Sequence, residues 1–173
     1  MEYRIALSDV ERGVAVDTKL IVALEPEESL EHLTLRLLAW CVLYRPELEF
    51  ARGPFDAGAA DLWAHDLTGR VALWVECGAV TGEKLRRVVR HQRGAEVHVV
   101  LGREADASAL AAELARHPAG AAVALSVIDG ELVARLASLD LRRHTWAVTI
   151  VGGQIYVDAD GLAVSGAIAQ RKL

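Results

Sequence analysis

The apolar and polar positions of this chain change period several times, and each change marks an element. Residues 2–8 (EYRIALS) and 13–24 (GVAVDTKLIVAL) alternate or cluster apolar side chains as strands do, with a turn at Asp9–Gly13. Pro26 then suits a first helical position, and Glu27 and Glu28 suit the positive end of a helix. Leu30, Leu33, Leu37, Leu38 and Cys41 recur at helical spacing until Arg45-Pro46 stops them. Short strands are expected at 48–52, 61–65 and 70–77, separated by the loop GPFDAGAA and the turn Asp66–Gly69. A helix over about 82–93 carries Leu85, Val88 and Val89 on one side, and EVHVVL at 96–101 returns as a strand. The order from residue 27 is therefore α-β-β-β-α-β, and 70–101 predicts a right-handed parallel crossover.

Beyond it, 106–117 reads as a helix with Asp106 and Ser108 as rival N-caps. A strand at 121–127 and a short helix at 130–139 follow. The tail is β, its strands joined at Gly152-Gly153 and Asp160-Gly161, both hairpin signals. The tail strands, 144–169, are expected to run antiparallel and to pair with 2–24, because either segment alone would leave exposed edges.

Composition narrows the class. The 173 residues, 53% hydrophobic and 25% charged, suit one domain with a substantial core. No apolar run approaches the roughly 20 residues that span a bilayer. The acidic start, MEYRIALSDVERG, lacks the pattern of a signal peptide, so the expected location is cytoplasmic. Two cysteines, Cys41 and Cys77, read as free buried thiols. A net charge of −5 means that nucleic acid, if bound, must meet a local basic patch. The stretch 84–95 is that concentration, with Lys84, Arg86, Arg87, Arg90, His91 and Arg93 and no acid. A solvated helix face is the competing explanation.

The stretch VALWVECG at 71–78 ends a buried strand on a carboxylate. If 61–65 and 70–77 form one hairpin and Asp61 opposes Glu76, Trp63 opposes Trp74 and His65 opposes Ala72. Directly opposed side chains share a face, so this register stacks two tryptophans and brings two carboxylates to about 5 Å. One must then take a proton, or a cation must sit between them. Mg²⁺ is the natural ion, held by one or two carboxylates plus water and phosphate. The alternative is a pair of solvated strand ends.

The chain resembles the YaeQ family, within the PD-(D/E)xK, restriction-endonuclease-like nuclease superfamily. The resemblance is carried by Pro26, Glu28 and Glu31, by Leu35-Arg36-Leu37-Leu38-Ala39-Trp40 and by Leu48-Glu49-Phe50-Ala51-Arg52-Gly53. Asp61-Leu62-Trp63, Asp66-Leu67-Thr68-Gly69, Leu73-Trp74-Val75-Glu76-Cys77-Gly78 and the basic helix complete it. It implies an α/β fold with a restriction-endonuclease-like αβββαβ core, about 27–101, and added antiparallel N- and C-terminal strands in a single domain, 1–173. It also implies Mg²⁺-dependent (or Mn²⁺-dependent) phosphodiester hydrolysis of nucleic acid, with Asp61 and Glu76 as metal ligands. Glu31 would be an accessory acid from the first helix. The superfamily lysine is replaced by Gly78, so Lys84 is the first substitute and Arg87 the second. Arg86, Arg90 and Arg93 would face nucleic acid. The rival reading is a catalytically inactive nuclease-fold module that binds nucleic acid or a protein partner.

Other residues add little. His65, His98, His117 and His144 show no zinc spacing and His32 stands alone, so all five read as structural or surface. Nothing places either cysteine beside a histidine, and there is no phosphate-binding or dinucleotide loop.

Overall fold

The computed structural model describes residues 1–51, 58–139 and 141–173. Arg52, the end of the strand expected at 48–52, and the start of the expected loop, from Gly53, lie outside the described residues. The fold is mixed α/β, with ten strands in one sheet and four α-helices among the described residues. The strands are β1 (Glu2–Asp9), β2 (Val14–Ile21), β3 (Glu49–Phe50), β4 (Leu62–His65) and β5 (Val71–Cys77). They continue with β6 (Glu96–Leu101), β7 (Val123–Ile128), β8 (Arg143–Val151), β9 (Gln154–Ala159) and β10 (Leu162–Lys172). The helices are α1 (Leu30–Val42), α2 (Gly82–His91), α3 (Glu104–Leu114) and α4 (Gly130–Ala137). Among the described residues no helix is long and apolar enough to cross a membrane.

The order across the sheet is β2-β1-β8-β9-β10-β7-β6-β5-β4-β3. From residue 27 the elements follow the expected α-β-β-β-α-β order, and β5 pairs in parallel with β6. Strand β5, inside the sheet, is buried on both faces over its last five residues. Leu73, Val75 and Cys77 join the core beneath α1 and α4, while Trp74 joins Leu85 of α2 and Leu110 of α3 on the other side. Two covered faces explain its nearly continuous apolar run. In β8, by contrast, buried and exposed residues alternate strictly, because one face of that half of the sheet meets solvent.

Several expectations need correction. Helix α1 starts at Leu30, capped by the Ser29 hydroxyl accepting from the His32 N–H, so Pro26 precedes the helix. Helix α3 starts at Glu104 without a side-chain cap, and Asp106 pairs with Arg103 instead. The tail strands are antiparallel to one another, but β8 runs parallel to β1. Strand β10 extends past β9 to pair with β7, which makes β3–β7 and the N- and C-terminal strands one continuous sheet.

The β1–β2 turn also finishes a helix elsewhere. Arg12 donates to the carbonyls of Val42 and Tyr44 and lies 3.5 Å from Asp9. Helix α1 has no basic residue in its last turn, so Arg12 supplies the positive charge that its C-terminal carbonyls favour.

Candidate functional site

Strands β4 and β5 pair as the alternating pattern requires, Trp63 opposite Trp74 and Leu62 opposite Val75. The rings meet edge to face, with centroids 6.4 Å apart, and are not stacked. A bulge between Ala64 and His65 places His65 opposite Val71, not Ala72. At the other end the Asp61 N–H donates to the Val75 carbonyl at 2.9 Å, extending the ladder toward Glu76.

Glu76 lies on the same side of β5 as Trp74, two residues earlier, as strand periodicity dictates. The indole N–H donates to its Oε1 at 2.7 Å. Its Oε2 accepts from the Lys84 ammonium at 2.9 Å, which also donates to the Ala59 carbonyl at 3.3 Å. Lys84 sits in the first turn of α2, where its N–H is capped by the Thr81 hydroxyl. The apolar stripe of α2 faces the sheet, and the flexible lysine stem reaches over it to the strand end.

Asp61 accepts from the Cys77 N–H through Oδ2 at 2.7 Å. Its Oδ1 lies 3.6 Å from His32 Nε2 and 3.7 Å from Arg36 Nε. Those two residues lie four apart on one side of α1, and Glu28, in the turn just before the helix, meets both. Arg36 donates to Glu28 Oε1 at 3.0 Å and Oε2 at 3.3 Å, and its guanidinium lies 5.3 Å from the Phe50 ring centroid. His32 Nδ1 is 2.8 Å from Glu28 Oε1, and its Nε2 is 3.1 Å from the Cys77 carbonyl. A carboxylate and a carbonyl are both acceptors, so this geometry suits an imidazolium that donates from both nitrogens. Gly78, at φ +76°, turns the chain away directly after β5, and a Cβ there would sit 3.5 Å from His32 Cδ2.

Glu28, Asp61, Glu76 and Arg36 are buried, and His32 and Lys84 are half-buried. The three acids face three bases, a pairing that burial of charge demands. Burial pushes Asp61 above the usual carboxylate range, while the Cys77 N–H, His32, Arg36 and Lys84 pull the other way. Burial also raises Glu76, against the Lys84 and Trp74 hydrogen bonds, and the charge of Asp61 adds to the rise. Glu28 is penalised by burial too, yet His32 and Arg36 hold it below its ordinary value. Burial disfavours the charged form of His32, but Glu28, Asp61 and the Cys77 carbonyl raise it overall.

The structure thus brings Asp61, Glu76 and Lys84 into one cluster. Glu31 is exposed in the first turn of α1, and Glu28 is the acid from that region inside the cluster. Arg87 does not share the flank of Lys84. It is exposed, 3.7 Å from Glu83. Arg86 lies 3.7 Å from Glu113 of α3, and Arg90 and Arg93 are exposed. His32, read from sequence as structural or surface, belongs to the cluster, as does Arg36. The His-x3-Arg spacing was the signal that could have found them, since it puts both on one side of the helix, above the Glu28 turn. Among the described residues there is no group of three or more His, Cys, Asp and Glu side chains that could hold a metal ion.

The protein is thus of the mixed α/β class, with a charge-balanced polar cluster at the ends of β4 and β5. The family model described as "YaeQ protein" matches residues 1–167, and the chain belongs to the YaeQ family. It is similar to "Uncharacterized protein YaeQ" of Escherichia coli (strain K12), 28% identical over 81 residues, 47% of this chain and 45% of that protein. The same figures hold for the Shigella flexneri protein, so the matched stretch spans less than half the length of these curated relatives. The crystal structure of YaeQ protein from Xanthomonas axonopodis pv. citri superposes with a TM-score of 0.88 at 26% identity, covering 99% of this chain and 96% of that one. That from Pseudomonas syringae superposes at 0.87, with 24% identity and coverage of 99% and 94%, a likeness of fold.

Proposed function

We propose that this chain is a metal-dependent phosphodiesterase of the PD-(D/E)xK type acting on nucleic acid, its site built from Asp61, Glu76 and Lys84. The observation that carries this reading is the 2.9 Å contact between Lys84 and Glu76. It sets an ammonium beside the strand-end acid although the position two residues after that acid is a glycine.

Asp61 and Glu76 fit Mg²⁺ or Mn²⁺ in kind. They are hard oxygen donors, and a pair of carboxylates completed by water and a substrate phosphate suffices for Mg²⁺. These two side chains would hold the ion, which when bound would activate water and stabilise charge on the phosphate. The remaining work belongs to the chain. Lys84 neutralises Glu76 at rest, and its long stem lets the ammonium turn to a phosphate oxygen. The Trp74 N–H and the Cys77 N–H fix one oxygen of each carboxylate, orienting both acids. Arg36 and His32 offset the negative charge of Asp61 and Glu28, so the cluster can stay buried. Arg86, Arg90 and Arg93 supply the basic surface of this reading.

A second reading, a catalytically silent module that binds nucleic acid or a protein partner, is favoured by one observation. Each buried acid of the cluster already has a resident cation within 4.0 Å. The deciding experiment titrates Mg²⁺ and Mn²⁺ into the purified chain by calorimetry and assays labelled single- and double-stranded DNA and RNA with each metal and with EDTA. Metal binding with metal-dependent cleavage supports the enzyme. Absence of both leaves the silent module.

A further inference from the structure

A groove of about 610 Å³ lies on the outer side of α2, against the turn that follows α3. Its lining is Glu83, Arg86, Arg87, Val89, Arg90 and the turn His117–Ala119. Helix α2 itself separates this groove from the cluster. Lys84 leans toward β5, whereas Arg86 leans toward α3, where it meets Glu113.

Two features of the groove point to a ligand. The first is charge. Three guanidinium groups and one carboxylate line it, on a chain whose net charge is −5. The acids near it are loosely engaged, since Arg86–Glu113 and Arg87–Glu83 are each 3.7 Å contacts, longer than a hydrogen bond. Among the described residues no carboxylate lies within ion-pair distance of Arg90. The planar forks of Arg87 and Arg90 are therefore available to take phosphate oxygens in pairs. The second feature is the floor. Val89, Pro118 and Ala119 form an apolar surface beside those arginines, which suits a flat ring better than a hydrated ion. His117 Nδ1 accepts from the Ala119 N–H at 3.1 Å, so in the neutral ring Nε2 carries the proton and is a donor at the rim. The volume falls within the roughly 300–1,000 Å³ of small-molecule sites.

We infer that this groove is a nucleotide site, separate from the Asp61–Glu76–Lys84 cluster. It takes one phosphate on Arg87 and Arg90 and one unpaired base over Val89 and Pro118, beside the Arg86 guanidinium. A base held in a duplex cannot lie on that floor, so the ligand is a free nucleotide or one residue of a single strand. The inference does not depend on catalysis or on metal.

The test keeps the two sites apart by working in EDTA with the full chain. Binding of AMP, inorganic phosphate, a fluorescent twelve-residue single strand and its duplex would be measured by calorimetry and anisotropy. AMP or the single strand is expected to bind more tightly than inorganic phosphate and than the duplex. Arg87→Glu with Arg90→Glu should weaken that binding about tenfold or more, since two charge-assisted contacts are lost. Charge reversal at exposed Arg142 should leave it unchanged, and thermal melting would check that both variants fold. Binding of the strand without AMP assigns the groove to nucleic acid, and binding of AMP alone assigns it to free nucleotide. The inference is overturned if neither binds, if the duplex binds as well as the single strand, or if the Arg87/Arg90 variant binds as tightly as the native chain.

Discussion

Lys84 and Glu76, eight residues apart in the chain, meet at 2.9 Å across the gap between α2 and the end of β5. If the cluster hydrolyses phosphodiesters, Lys84→Ala should abolish metal-dependent cleavage, and Arg142→Ala, at an exposed position outside both the cluster and the groove, should leave turnover largely intact. Removing Lys84 also removes the main partner that holds Glu76 down against burial, so the Glu76 carboxyl should titrate higher than in the native chain. Carboxyl-carbon NMR would follow that titration. Cleavage that persists in a Lys84→Ala, Arg87→Ala double variant would refute the assignment of the displaced lysine.

Arg36 is the most deeply buried cation of the cluster, and it serves both Glu28 and Asp61. Truncating it leaves two acids without their nearest permanent charge. Arg36→Met should therefore destabilise the fold by about 3–5 kcal/mol, the usual cost of orphaning a buried ion pair. Urea unfolding would measure this, and a loss under about 1 kcal/mol would mean that water reaches the site and that Arg36 is not a structural counter-charge.

The cluster should also give the fold a directional pH dependence. The folded-state pKa of His32 is raised, so its contribution is complete below the ordinary value of 6.5 and lost as pH rises through the raised value. Asp61 and Glu76 are raised as well, so ionising them opposes folding, and their effect runs in the same direction. Glu28 is lowered, so its contribution is present above the ordinary 4.5 and fades as pH falls through the depressed value. His98, which burial pushes down to about 4, works the other way over the same range, so the cluster is read by difference: His32→Gln should lower the denaturation midpoint more at about pH 5.5 than at about pH 9. An equal loss at both pH values would show that His32 does not carry the linkage.

Arg12 tests the coupling between the β1–β2 turn and α1. Arg12→Ala removes one hydrogen bond to the last carbonyl of the helix, one to the Tyr44 carbonyl just beyond it, and the favourable charge there. A loss of about 1–3 kcal/mol is expected, with faster amide exchange concentrated in the last turn of α1. Uniform exchange across the sheet would point to a different role.

At Gly78 the cost of a side chain lies in the backbone. The methyl group of an alanine at this position would meet only an ordinary 3.5 Å contact with His32, but φ is +76°. Gly78→Ala should therefore cost about 1–2 kcal/mol, and Gly78→Asn less, because asparagine tolerates the left-handed region. Melting temperatures of the two variants would separate backbone strain from crowding, which would penalise the larger asparagine more.

The local pattern determined much of this molecule. Alternating or continuous apolar runs located the strands except for a few end residues, and a register that opposes Asp61 to Glu76 also placed Trp63 opposite Trp74. The apolar stripe of α2 left Lys84 at the edge of the sheet, within reach of Glu76. These are legible because neighbours along a strand or helix have their directions set by backbone geometry. Tertiary structure decided the rest. Whether Glu28 or Glu31 enters the cluster depends on how α1 is entered and packed: Ser29, not Pro26, caps it, so Glu28 reaches the cluster from the preceding turn while Glu31 faces solvent. That β8 lies parallel to β1, and that β10 reaches β7, depends on which strand edges meet. Edges that lie far apart in the chain carry no mark of their partner, because backbone hydrogen bonds are the same whichever strand supplies them.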